Sequence, residues 1–402
     1  MGAPVTDGAQ RREFFLDGDG DWDYASEKSR VQVLLMKNLS IMLKPASSAC
    51  NLRCSYCFYR DVSCRRDTAS YGFLSISVME QILDNIFRDL VPGDRVSFVF
   101  QGGEPTLVGL DFYRHFTNYC KPQAQRGVDI HYALQTNGIL LDEAWCTFLK
   151  ENHFLVGLSL DGPAKIHNAQ RKAPDGSGTF RQVMDARKLL EQSGTQYNVL
   201  MVLTREMARH PKEIWNFLVE NQLQYVQFIP CLNELDGQST PWGITPERYA
   251  DFYRGLFDLW LTAFGQDKYF SIKLFDDYIQ LLARGIQGSC GQLGRCSPQI
   301  VVEADGSVYP CDFYVLDTYQ TGNLTTQSLR EVFLSPKMQE FARREVPRNP
   351  ECDSCPFLRI CGGGCARMRN QVFSPGKNGI CGHRMFLEDV ITSFSAIART
   401  LH

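Results

Sequence analysis

Three cysteines stand close together at Cys50, Cys54 and Cys57, in the stretch CNLRCSYC. Thiolates at this density ligate metal, and the trio is one short of the four ligands that close a structural zinc site. The residues leave two readings open. Zinc with Cys64 as a loosely spaced fourth ligand gives a closed site that only holds a fold. A [4Fe–4S] cube, normally held by four cysteines, keeps one iron open when three hold it, and an open position is where a metal centre does chemistry. Eight further cysteines make two sets of four: Cys290, Cys296, Cys311, Cys352, Cys355, Cys361, Cys365 and Cys381. Among them CDSCPFLRICGGGC carries a Cys-x2-Cys-x5-Cys-x3-Cys run. Two zinc ribbons or two iron–sulfur clusters satisfy that count equally well. Cys64, Cys120, Cys146 and Cys231 stand apart, and the default for such residues is a small buried hydrophobe.

Other chemistry-bearing groups sit in short motifs. In GGEP (102–105) the glycines allow a ligand close to the backbone, and Glu104 can accept hydrogen bonds from an ammonium. SLDG (159–162) offers Ser159, with Arg171 twelve residues on; their plain readings are a strand cap and a solvated cation. Asp312 follows Cys311 directly. It is either a turn residue or a carboxylate whose proton affinity a neighbouring metal centre resets.

These groups need a scaffold, and the sequence supplies a rhythm for one. LSIMLKPAS, RVSFVFQGG, IHYALQTNG, FLVGLSLDG, YNVLMVLTR and YVQFIPCL are short runs rich in β-branched and aromatic residues. Helical stretches at 77–90 and 144–153 alternate with them, which indicates βα units and a parallel sheet. Six units fall between about 39 and 235, fewer than the eight of a full barrel. A partial, open-sided barrel and a flat doubly wound sheet both fit. Either places the cysteine trio, GGEP and SLDG at strand ends on one rim. Beyond residue 240, helical segments at 246–263 and 272–284 lead into the cysteine-rich region 290–381. There QIVVEADGSVYPC reads as a hairpin turned at Asp305-Gly306, and HRMFLEDVITSFSAIARTLH as a closing helix. Residues 1–35, rich in Gly, Asp and Arg, read as a disordered extension, with Met36 opening the folded unit.

Composition narrows the class. The chain has 402 residues, 44% of them apolar, and a formal charge of -3, which gives no support for broad nucleic-acid binding. No apolar run approaches the length of a membrane span, and the polar N-terminus lacks the apolar core of a signal peptide. A cytoplasmic protein is expected. Fifteen cysteines in such a chain point to cofactor ligation rather than to disulfides.

Cys50-x-x-x-Cys54-x-Tyr56-Cys57 resembles the signature of the radical S-adenosylmethionine (radical SAM) enzymes. The resemblance implies a partial (β/α)6 TIM-like barrel in which S-adenosylmethionine supplies the missing ligand to the open iron. It assigns Gly103, Glu104, Ser159 and Arg171 to that cofactor, with Tyr56 near the adenine and Leu232 packed against it. The later cysteines resemble a SPASM extension, which holds two auxiliary [4Fe–4S] clusters. One would take Cys290, Cys296, Cys311 and Cys365, the other Cys352, Cys355, Cys361 and Cys381. The domains implied are a barrel over 36–240, linking helices over 241–289, the SPASM region over 290–381 and a C-terminal helix over 382–402.

Within the superfamily, KPASSACNLRCSYCFY, FQGGEPTL, SLDGP and GSVYPCDFYVLD are most similar to anaerobic sulfatase-maturating enzymes. Those oxidise a Cys or Ser in a Cys/Ser-x-Pro-x-Arg stretch of a sulfatase to Cα-formylglycine, after hydrogen abstraction from Cβ by a 5′-deoxyadenosyl radical. The resemblance casts Asp312 as the base that takes the heteroatom's proton. It implies two partners, an unfolded or nascent sulfatase polypeptide and an electron donor such as flavodoxin or ferredoxin, with neither nucleic acid nor membrane. The substrate arginine calls for an acidic patch at the barrel mouth. Asp276 and Asp277 are candidates, against the plainer reading of a solvated helix face. Two other functions compete: a radical SAM maturase that crosslinks or forms thioethers in a ribosomal peptide, and a zinc-stabilised binding module without catalysis. The first usually carries a folded leader-binding domain, for which residues 1–35 are too short and polar; the second leaves GGEP and SLDG unexplained.

Overall fold

The six apolar runs form six strands: β1 (Asn38–Leu43), β2 (Arg95–Phe100), β3 (Asp129–Thr136), β4 (Leu155–Ser159), β5 (Tyr197–Leu203) and β6 (Tyr225–Pro230). Each pairs in parallel with the next. The computed structural model describes residues 38–377 and 379–400, so the expected disordered extension over 1–35 lies outside the described residues.

Strand order settles the choice the sequence left open. A doubly wound sheet reverses its order at a switch point. Here β1 to β6 follow one another across the sheet without reversal. Right-handed crossovers then put every connecting helix on the same face, and a sheet covered on one face curls into a barrel. Burial agrees with one covered face: Val96, Phe98 and Phe100 of β2 are buried, while Ser97 and Val99 between them are only half-buried. The curl does not close. β6 is flanked by the two-residue β7 (Ser271–Ile272), and the β1 edge is extended instead by β8 (Ile300–Val302), which runs parallel to β1. Beyond it lie the antiparallel β9 (Ser307–Tyr309) and β10 (Gly322–Asn323). β8 and β9 form the expected hairpin, with Gly306 at φ 84° in its turn.

The expected helices are present. Ile76–Phe87 covers the stretch expected at 77–90, and Glu143–Glu151 that at 144–153, capped where Asp142 accepts the Trp145 N–H at 2.8 Å. Pro246–Phe264 and Lys273–Arg284 pack with the closing helix Gly382–Thr400. Their seam is aromatic, with Phe257, Phe275 and Phe394 in edge contact and Phe275 stacked on Phe386. Cys120, Cys146 and Cys231 are buried as expected, but Cys64 is exposed at the end of the Phe58–Cys64 helix. Among the described residues no helix is long and apolar enough to cross a membrane.

Candidate active site on the cysteine rim

The loop after β1 turns through Ser47 at φ 48° and delivers Cys50, Cys54 and Cys57 to the C-terminal rim of the sheet. The loop after β2 clamps it there. Gly103 N–H donates to Ser47 O and Glu104 N–H to Ala49 O, both at 2.8 Å. A Cβ on Gly103 would collide with the Ala49 carbonyl, so glycine is required for the two backbones to meet. The group that approaches Gly103 so closely is therefore the chain's own cysteine loop. Glu104 is buried, and its carboxylate accepts from Thr106 Oγ1 and Thr136 Oγ1 at 2.7 Å, from Thr106 N–H at 3.1 Å and from Asn137 N–H at 2.7 Å. Burial raises its pKa and these donors pull it back. Asn137 also donates to Asn51 at 2.8 Å, joining the loop after β3 to the cysteines.

On the far side of the trio, the end of β4 supplies a second anchor. Arg171 meets Asp161 through Nε at 3.0 Å and Nη2 at 3.3 Å, and the Tyr56 hydroxyl donates to the same carboxylate. The Arg171 guanidinium lies 5.6 Å from the centre of the Tyr56 ring. Burial pulls the Arg171 pKa down, but Asp161 and Tyr56 outweigh it and hold the group above its ordinary range. Nothing in the sequence marks Asp161 as a site residue although it sits inside SLDG; Ser159, at the strand end, accepts from Gln135 at 3.0 Å. Burial pushes the Cys50 thiol up to about 12 and Cys54 to about 11, with Arg171 opposing the rise at Cys54. Tyr56, Cys57 and Leu232 line one cavity of about 540 Å³ together with Trp242, Phe313 and Arg367.

Asp312 enters from the loop after β9. Lys44 donates to its Oδ1 at 2.6 Å and Gln101 to its Oδ2 at 2.9 Å, so the carboxylate is fixed between the ends of β1 and β2. Lys44 is buried with its ammonium 4.0 Å from the centre of the Tyr59 ring, and Tyr59 in turn donates to the buried Glu303–Arg66 pair. Phe313 meets Phe58 at 5.3 Å, bringing the Asp312 loop against the cysteine loop. Nothing in the sequence marked Lys44 or Gln101, because a lysine or glutamine after a strand is ordinarily solvated.

The eight later cysteines fall into two neighbourhoods. Cys311 lies within electrostatic reach of Cys365 and Cys290, and Cys365 of Cys290 and Cys296. Cys361 and Cys381 both feel Cys352 and Cys355. The second group lines a single cavity with Phe357, Phe373 and Leu387. The strands of the two neighbourhoods interlock through glycine: a Cβ on Gly362 would strike Leu293 O, and one on Gly364 the Phe373 ring. All fifteen cysteines are free. Among the described residues no three candidate side chains stand close enough to share one metal ion; Cys352, Cys355, Cys361 and Cys381 stand about a small space rather than as a closed tetrahedron. Burial pushes Cys311 and Cys361 up to about 12, and the positive charge of a bound metal would favour their thiolate forms. Soft sulfur donors in fours around a hydrophobic space fit an iron–sulfur cluster.

Asp276 and Asp277 are engaged within the fold and do not form the suggested acidic patch. Asp276 accepts from Ser271 at 2.5 Å and from Tyr269, while the buried Asp277 is engaged by Lys273 and Ser289. Neither forms a solvated face or a free mouth. Asp61 and Glu234 line the rim cavity, where both are bound by Arg65.

The family model of the radical SAM superfamily matches residues 45–218, and that of the SPASM iron–sulfur cluster-binding domain matches residues 290–356. A cysteine-type anaerobic sulfatase-maturating enzyme of Clostridium novyi is 39% identical over 371 residues, covering 91% of this chain and 99% of that protein. A serine-type counterpart from Bacteroides thetaiotaomicron is 31% identical over 376 residues, covering 88% and 90%. The solved structure of native anSMEcpe with bound AdoMet and Cp18Cys peptide matches with a TM-score of 0.83 at 36% identity, covering 91% of this chain and 100% of that one.

Proposed function

The chain belongs to the anaerobic sulfatase-maturating enzymes of the radical SAM superfamily, and we propose that it oxidises a sulfatase cysteine, in a Cys-x-Pro-x-Arg stretch, to Cα-formylglycine. The observation that carries the choice of cysteine is the end-to-end match to a cysteine-type relative at 39%, against 31% for the serine type. When bound, S-adenosylmethionine and the iron–sulfur clusters supply one-electron chemistry and hydrogen abstraction. In this reading Cys50, Cys54 and Cys57 hold the S-adenosylmethionine cluster. Tyr56, Gly103, Glu104, Ser159, Arg171 and Leu232 contact S-adenosylmethionine itself. Cys290, Cys296, Cys311 and Cys365 hold one auxiliary cluster, and Cys352, Cys355, Cys361 and Cys381 the other.

The chain's own groups orient, exclude water and move one proton. Asp161 fixes Arg171 and Tyr56 as a unit, so neither reorganises when the cofactor arrives. Phe58, Phe313, Leu232 and Trp242 give the cavity apolar walls. Asp312 accepts the proton of the substrate thiol. Lys44 and Gln101 each occupy one of its oxygens, and an ionised carboxylate keeps further lone pairs for that proton. The polypeptide substrate is taken unfolded, an electron donor of the flavodoxin or ferredoxin class is the second partner, and the setting is cytoplasmic and anaerobic.

The test is anaerobic incubation with S-adenosylmethionine, a reductant and paired Cys-x-Pro-x-Arg and Ser-x-Pro-x-Arg peptides, read by mass spectrometry. Aldehyde on the cysteine peptide with 5′-deoxyadenosine alongside is the expected result; preference for the serine peptide would reverse the assignment. In the same assay Asp312→Asn should keep 5′-deoxyadenosine formation and lower aldehyde by about 100-fold or more. Unchanged yield would remove Asp312 as the base.

A further inference from the structure

Arg344 follows the Pro336–Arg343 helix and is not used by the reaction as described. Its guanidinium is boxed by aromatic rings, 3.5 Å from the centre of Phe341, 4.6 Å from Tyr314 and 5.8 Å from Tyr319. Tyr314 lies in the same short turn as Asp312. Out of this cage Nη2 points at the Cys296 sulfur, 3.9 Å away. Nε is buried and has no hydrogen-bond partner among the described residues. A buried N–H without an acceptor is destabilising, and more so on a charged group, so the cage keeps a cation beside this one thiol at a cost in stability.

We propose that Arg344 is a positioning residue that raises the reduction potential of the auxiliary cluster bearing Cys296, by placing a fixed positive charge and N–H donors against its sulfurs. The inference rests on the assignment of Cys296 as a ligand. Its physics is simple. A one-electron reduced cluster carries one more negative charge than the oxidised one, so a nearby cation and hydrogen bonds to sulfur favour reduction. Partial burial strengthens the effect, since the interaction is screened less than at a surface. Arg348, near the other set, has a side chain 46% exposed, and water screens its charge. The aromatic cage holds the guanidinium by cation–π contact without supplying a counter-charge that would cancel it. The cluster so tuned is the one whose ligand Cys311 adjoins Asp312. Electron acceptance from the substrate would thus be eased where the proton is also removed.

The experiment compares wild type, Arg344→Gln and Arg344→Lys after anaerobic reconstitution, by iron content and by redox titration followed with electron paramagnetic resonance. Arg344→Gln should keep its iron and show a roughly tenfold fall in the reduced-to-oxidised ratio of one cluster at fixed potential, equivalent to about 59 mV for one electron. Arg344→Lys should recover much of that shift. Iron lost from the Gln variant but kept by the Lys variant would also support a role for the charge. Full iron with an unmoved midpoint in Arg344→Gln, or iron lost from both variants, overturns the proposal. Cys296→Ala separates the two levels: if its iron does not fall, the ligand assignment and the proposal fail together. If it falls while Arg344→Gln titrates as wild type, only the role of Arg344 fails.

Discussion

At the scale of single residues, His167 shows how the rim depends on a protonation state. It is fully buried, and its Nδ1 accepts the Asp161 N–H at 3.2 Å, so the ring proton sits on Nε2, facing Thr179 Oγ1 at 3.1 Å. Burial, and then the Arg171 charge, push its pKa from 6.5 down to about 4. The sign follows from comparing the two states. As pH falls through 6.5 the unfolded chain takes a proton that the folded chain refuses until about 4. The stability this histidine preserves is complete above that window and lost as pH falls across it, at up to about 1.4 kcal/mol per pH unit. Protonation would also break the bond that orients Asp161, and with it the Arg171–Tyr56 unit. Anaerobic denaturant unfolding from pH 7 to pH 5 should therefore be steeper in pH for wild type than for His167→Gln, by close to one proton. Equal slopes would mean that His167 is already charged, or is solvated, in the folded protein.

At the scale of elements, the site is a set of strand ends locked to one another by short loops, and Gly103 tests that lock. No positive φ is demanded there, so alanine suits the backbone; only space decides, and the Ala49 carbonyl occupies it. Gly103→Ala should push the loop after β2 away from the cysteine loop, at about 1–3 kcal/mol for overpacking. The first cluster's iron and S-adenosylmethionine cleavage should be impaired together. Gly265→Ala is the control: at φ -66° with no atom nearer than 3.6 Å, it should leave both unchanged. A Gly103→Ala protein with normal cleavage would show that the two loops move independently. This level also marks what the sequence made legible. All six strands, the Asp305-Gly306 hairpin and the helices over 76–87, 143–151, 246–264, 273–284 and 382–400 could be read, because each carries its own period or turn residues, whereas the helices over 110–125, 180–193 and 211–220 were not singled out. The pairing of β8 with β1 could not, since it joins residues some 260 positions apart through three backbone registers. Lys44 and Asp161 escaped for a related reason. Each is polar and ordinary in its local stretch, and becomes a site residue only when a partner distant in sequence, Asp312 or Arg171, is brought to it.

At the scale of the whole molecule, one sheet runs from β7 through the barrel to β10, so residue 290 marks a change of chemistry more than a break in the fold. The cysteine-rich region is built onto the β1 edge, and that is how a carboxylate beside Cys311 reaches Lys44 at the start of the chain's first loop. The closing helix contributes as well: it begins at Gly382, immediately after Cys381, and packs on the two linking helices, so the last ligand of the second set is fixed by the aromatic seam. Two neighbourhoods of four thiols and one of three are therefore tied together by one sheet and the helices packed beside it. The expected load is roughly twelve irons per chain, as three four-iron cubes. Cys352→Ala should lower it to about eight while leaving S-adenosylmethionine cleavage measurable, because that thiol belongs to a different set from the trio. Iron and acid-labile sulfide assays after anaerobic reconstitution decide the matter. A wild-type count near four would strip both auxiliary clusters from the reading. A Cys352→Ala protein retaining only about four irons would show instead that the interlocked glycine turns make the two auxiliary sites load as one.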